Sequence, residues 1–207
     1  MSARMKRTLS LLGLSVPGTL FLTGCSKVSG LGFEEGVTSV NDHSLSLWQG
    51  AWIAAGVVGV FTAILIMWPV FRHRRKGDEV PKQTQYNVPV EVAYTVIPFI
   101  IVAVLFYFTV QKQTVITEKT TTYAHEITVE GIQWSWQFGY PEAGPQAVVT
   151  GTPEQPPTLV VPLGQRVRYT LTANDVVHGF WIPAFMIQMQ NLPGVTNHIE
   201  FTANKLG

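Results

Sequence analysis

Two stretches of the 207-residue sequence carry no charged side chain, Ala51 to Phe71 and Val92 to Val110. A backbone in hydrocarbon finds no water to bond, so apolar runs of about 20 residues satisfy their peptide groups there by forming helices. Trp48, Trp52 and Trp68 stand towards the two ends of the first run, where amphipathic rings favour the membrane interface. The second run, at about 1.5 Å per residue, nearly covers a hydrocarbon core of about 30 Å, and Pro98 is expected to kink it. Between them Arg72-His73-Arg74-Arg75-Lys76-Gly77 opens a short polar loop that continues to Asn87. Positive charge beside a span is retained in the cytoplasm, so the loop is placed inside the cell and both ends of the hairpin outside.

Composition adds an exclusion. A net charge of +1 with 13% charged residues argues against a nucleic-acid-binding protein.

The N-terminus agrees with export. Met1-Ser2-Ala3-Arg4-Met5-Lys6-Arg7 is basic, and Thr8 to Leu22 is apolar but short for a span, the pattern of a secretory signal. It closes on Leu22-Thr23-Gly24-Cys25, which resembles the lipobox of bacterial lipoproteins; that resemblance makes Cys25 the lipidated first residue of the mature chain. An ordinary signal peptide or an uncleaved anchor is the alternative. Cys25 is the sole cysteine, so no disulfide forms within the chain, and a lipidated Cys25 is not available to a metal.

Beyond a polar linker from Gln111 to Thr122 the periodicity changes to that of strands. Ile127 and Val129 alternate with Thr128 and Glu130, and Trp134, Trp136, Phe138 and Tyr140 follow at every second position. On a strand all four would share one face, either as barrel core or as a functional ridge. Pro141 to Pro157 reads as a loop, Thr158 to Val161 as a short strand, and Pro162-Leu163-Gly164 as a turn. Arg166 to Thr172 and Val195 to Thr202 alternate as half-buried strands, with Asn174-Asp175 and Pro193-Gly194 as breaks. Short strands joined by turns predict a small sandwich or barrel. The expected division is a signal with lipobox (1–24), an exported segment (25–45), the helix hairpin (46–110), a linker (111–122) and a β-domain (123–207).

Glu91, just before the second apolar run, has two readings. It can favour the positive end of the helix dipole, or it can serve a function at the membrane edge. His178, in Asp175-Val176-Val177-His178-Gly179-Phe180-Trp181-Ile182-Pro183, is either an ordinary β-domain histidine or a metal ligand, since neutral imidazole suits copper.

From about Ser44 to Gly207 the order and spacing of these parts resemble subunit II of the haem–copper cytochrome c oxidases. The resemblance rests on the hairpin, on Gln-Trp-x-Trp-x-Phe-x-Tyr and on Asp-Val-x-His-Gly-Phe-x-Ile-Pro. It implies a two-helix transmembrane hairpin in a bacterial plasma membrane, followed by an all-β, cupredoxin-like Greek-key barrel. It further implies a dinuclear copper centre that takes electrons from cytochrome c, soluble or as a membrane-bound domain. These pass to haem in subunit I, which holds a further copper and reduces oxygen to water with proton pumping; subunit III is a further expected partner, and membrane lipid surrounds the spans. Residue by residue, Trp134 becomes the electron-accepting aromatic and Trp136, Phe138 and Tyr140 its donor-docking patch. His178 becomes the first histidine ligand of the copper centre, and Glu91 the acid at the mouth of a proton path.

Three departures qualify this. Gln188 and Gln190 stand where the family commonly has lysine and aspartate, and acids that would dock a basic cytochrome are sparse. The family's bridging cysteines, second histidine and methionine ligand are absent, so the barrel is expected to be incomplete and the native chain to continue past Gly207. A copper-free quinol oxidase subunit II, which typically lacks the histidine at His178, and a lipoprotein scaffold are the competing readings.

Overall fold

The computed structural model describes residues 32–78, 80 and 83–207. The expected signal and the lipidation site Cys25 lie outside them. Residues 35–207 form one compact unit.

The hairpin consists of α1 (Asn41–Arg72) and α2 (Val88–Ile116), both long and apolar enough to cross a membrane. At 32 and 29 residues they are about 48 and 44 Å long, well beyond the hydrocarbon thickness. The surplus of α1 lies at its start, where Asn41 and Leu45 are buried while the apolar stretch beyond is not. Thr38 and Asn41 organise that start: Asn41 Oδ1 accepts the Thr38 N–H and Thr38 Oγ1 accepts the Asn41 N–H, both at 3.0 Å. At the head of α2, Pro89 occupies the first turn, where its missing N–H costs nothing. The Glu91 carboxylate there accepts the Asn87 backbone N–H at 2.9 Å. Pro98 lies within α2, which is assigned as one helix across it.

The β-domain comprises β1 (His125–Ile132), β2 (Ser135–Gly139), β3 (Val148–Thr150), β4 (Arg166–Ala173), β5 (His178–Ile182), β6 (Ile187–Asn191) and β7 (Asn197–Thr202). A five-stranded sheet runs β3-β2-β1-β4-β7, and β5 pairs with β6 as a separate ribbon. The two central strands are parallel, with Ile127 opposite Tyr169 and Val129 opposite Leu171. The alternating residues Ile127, Val129, Val167, Tyr169, Leu171, Ile199 and Phe201 are all buried and form the core. Tyr169 stacks on Phe201 with centroids 4.4 Å apart. Phe180 and Ile187 close the core from the ribbon. Buried Asn191 fastens that ribbon down, its Nδ2 donating to the carbonyls of Val129 and Thr172 at 2.9 Å each.

This is the cupredoxin-like arrangement the resemblance implies, with two sheets that do not close among the described residues. Elements differ from expectation in particular places. Thr158 to Val161 is not a strand: it finds no ladder partner, and the Val160 N–H donates to the Tyr140 hydroxyl at 2.9 Å while Leu159 and Val161 pack on the core. β3 lies inside the stretch read as loop, and β6 was not anticipated. The linker is helical as far as Ile116. The outer edge of β7 is partly covered, because the Ser39 N–H donates to the Thr202 carbonyl at 2.9 Å and the Asn204 N–H to that of Val37 at 2.8 Å.

A buried carboxylate ties the linker after α2 to this sheet. Glu200 on β7 accepts from the Thr120 N–H (3.1 Å) and hydroxyl (2.8 Å), from Arg166 Nε (3.1 Å) and from Arg168 Nε (2.8 Å). Burial pushes this carboxyl up, but the Thr120 and arginine donors outweigh it and hold it down at about 2. Arg168 also donates to the Thr120 carbonyl at 2.6 Å and lies 4.0 Å over the Tyr123 ring. The chain therefore leaves the membrane helix and reaches β1 through an anchored segment.

Candidate functional site

The site lies where the β1–β2 hairpin meets the start of β5. The β1–β2 ladder closes on Ile132 opposite Ser135, which leaves Gln133 and Trp134 as a two-residue loop. Trp134 is accordingly free of the strand alternation and is 75% exposed. The four aromatics thus do not form one ridge. Trp136 and Tyr140 are half-buried against the core, and Phe138, at 4% exposed, is part of it. Phe138 therefore supports the surface from beneath instead of contributing to a docking patch. The exposed apolar neighbours on this side of the sequence motif are Val176 and Val177.

His178 opens β5 with its side chain 12% exposed. Its ring meets Trp136 edge-on with centroids 5.7 Å apart, and Trp136 meets Phe180 at 5.4 Å. Its Nε2 lies 2.7 Å from Asp175 Oδ1. The same carboxylate accepts the Val176 N–H on Oδ1 and the Gln133 N–H on Oδ2, both at 2.6 Å. These donors, the His178 ring first and then the Val176 amide, hold the Asp175 carboxyl at about 2. An ionised carboxylate only accepts, so Nε2 carries the proton of this bond. In the neutral form of the ring, Nδ1 is then the nitrogen with the lone pair.

Asp175 joins His178 to the Gln133–Trp134 loop, Trp136 meets His178 directly, and Glu91 lies elsewhere, on the membrane hairpin. The sequence alone assigns Asp175 no role. Its spacing of three before the histidine was the available signal, but its bond to Gln133, 42 residues away in sequence, left no local trace. Among the described residues no three His, Cys, Asp or Glu side chains gather into a metal site.

A membrane hairpin carrying a two-sheet β-domain, with an exposed tryptophan next to a loop held by the carboxylate that also holds a histidine, defines a membrane-anchored protein of cupredoxin-like fold. The model of the family "Cytochrome C oxidase subunit II, periplasmic domain" matches residues 125–207. A probable cytochrome c oxidase subunit 2 of Streptomyces coelicolor is 37% identical across 89% of this chain and 70% of its own length. Cytochrome c oxidase subunit 2 of Mycobacterium tuberculosis is 32% identical across 92% of this chain and 68% of its own. Among solved structures, the periplasmic domain of subunit II of cytochrome oxidase (CoxB) of Bradyrhizobium japonicum is 27% identical over 43% of this chain and 70% of that one, with a TM-score of 0.38. The chain belongs to the cytochrome c oxidase subunit II family. It is a membrane protein with a periplasmic domain and a component of an oxidase complex, and membership of the family implies a copper centre.

The His178 imidazole is a donor of the kind that suits copper. A bridged copper pair calls for soft thiolates as well, and the described residues supply none.

Proposed function

We propose that this chain is the electron-accepting subunit of the oxidase, taking electrons from a c-type cytochrome at Trp134 and passing them towards haem in subunit I, where oxygen is reduced to water. The observation that carries this reading is Asp175, whose two oxygens join the Trp134 loop to His178. The exposed indole offers a flat π-surface to a partner. Behind it, covalent bonds to Gln133 and two short hydrogen bonds lead to an imidazole, and Trp136 against His178 provides a second, aromatic contact.

His178 offers Nδ1 to copper, while Asp175 fixes the tautomer and the ring plane. When bound, a dinuclear copper centre holds a single electron in transit. Val176 and Val177, exposed next to Asp175 in sequence, add apolar contact to the docking surface.

On the hairpin, the basic loop faces the cytoplasm and both ends face outward, with Cys25 lipidated outside. Glu91 caps α2 at the cytoplasmic edge and collects protons there for subunit I.

Replacing His178 with Asn in the assembled oxidase tests the reading. The expected result is loss of copper, and of its paramagnetic signal, from complexes that still contain this subunit. Full copper content in the variant would remove His178 from the centre and return it to an ordinary domain histidine.

A further inference from the structure

We propose that Gly131 is the seat of the His178 imidazole, a positioning residue whose missing side chain is the space the ring occupies. Gly131 lies in β1 between Trp136 of β2 and Ala173 of β4. A Cβ at this position would stand 2.6 Å from both Cδ2 and Cγ of His178 and 2.9 Å from its Cβ. The clash is with the root of the side chain, so turning the ring does not relieve it. Nothing in the backbone demands glycine, because Gly131 is not among the residues with positive φ. The imidazole does.

The surroundings prevent β5 from backing away. Asp175 pins Nε2 at 2.7 Å, and Trp136 stands against the ring edge at 5.7 Å. Asn191, opposite His178 in the β5–β6 ladder, is buried and bonded to the carbonyls of Val129 and Thr172 on either side of the site. An added methyl group therefore tilts the ring off Asp175 or strains the ribbon's attachment to the core. Overpacking of this kind destabilises a well-packed site, and contacting residues couple. Gly131 thus sets the place of Nδ1 through the ring that rests on it.

The inference rests on the electron-transfer reading only in taking His178 as a copper ligand, and its test is built to separate the two. In the purified full chain, Gly131→Ala is compared in the native and His178→Ala backgrounds by thermal unfolding, with histidine ¹⁵N labelling to follow the Nε2–H resonance. Gly131→Ala alone should reduce the folding equilibrium constant about tenfold or more and move the His178 Nε2–H resonance out of its hydrogen-bonded position. In the His178→Ala background the same change should cost little, and if Gly131→Ala alone fails to fold, the double variant should recover folding. Equal cost in both backgrounds, a double variant that also fails to fold, or an unmoved resonance would overturn the seat. In the assembled oxidase Gly131→Ala should alter the copper hyperfine pattern; an unaltered pattern counts against the seat alone. A native oxidase without copper sinks the electron-transfer reading and leaves the cycle to decide the seat.

Discussion

Asp175 accepts the Nε2–H of His178 on one carboxylate oxygen at 2.7 Å and, with the other, the backbone N–H of Gln133 at 2.6 Å. One side chain thereby positions both the ring and the loop carrying Trp134. Asp175→Asn keeps the size but removes the charge and forces a choice of hydrogen-bond partners. Electron transfer inward from Trp134 should slow severalfold in assembled complexes, measured by flash-initiated reduction; an unchanged rate would reduce Asp175 to a loop fastener.

Glu200 should make the domain acid-sensitive. Its folded pKa of about 2 lies below the ordinary 4.5, so its stabilising contribution is complete above 4.5 and is lost as pH falls towards 2. Asp175, also held at about 2 against an ordinary 3.8, acts with the same sign. Glu200→Gln leaves two arginines facing a buried site without their counter-charge and should cost about 3 kcal/mol. Denaturant unfolding from pH 6 to 2 checks both points: the variant should start lower and show a shallower acid slope, and an identical slope would place the acid sensitivity elsewhere.

The hairpin orientation is open to direct labelling. A cysteine replacing Lys76 should be unreactive to an impermeant maleimide in intact cells and reactive after permeabilisation. Prompt labelling in intact cells would invert the topology.

Glu91 distinguishes a cap from a proton collector. Its bond to the Asn87 N–H already satisfies the cap role, and glutamine can accept the same bond. Glu91→Gln should therefore leave α2 intact while slowing oxidase turnover, most at high pH, where protons are scarce. Native turnover across the pH range would leave only the cap.

Composition made the hairpin legible, because two long uncharged runs around a basic loop admit few other structures. β1 and β4 were legible for a related reason, since every second residue along most of each is buried, and β7 shows the same alternation of residue type at Ile199, Glu200 and Phe201, although Glu200 is buried as well. β3 was not, since Val148, Val149 and Thr150 are all exposed and carry no alternation. β6 does alternate, with Ile187, Met189 and Asn191 turned inward, but Gln188 and Gln190 drew attention as departures from the family and not as the outer face of a strand. The candidate site was half legible. Period-two spacing assigned Trp134 to a strand, whereas a loop that uses neither glycine nor asparagine frees it. The roles of Gly131 and Asp175 arise from contacts between elements far apart in sequence, which periodicity does not record.

The central claim is that electrons enter through Trp134. Trp134→Phe keeps an exposed aromatic surface and most of its apolar area while changing the indole. The direct measurement is the pre-steady-state rate at which reduced cytochrome c reduces the purified oxidase, wild type against variant, with subunit and copper content matched. The account predicts a large fall in that rate. Equal rates in the matched complexes would contradict it and return Trp134 to the status of an exposed loop residue.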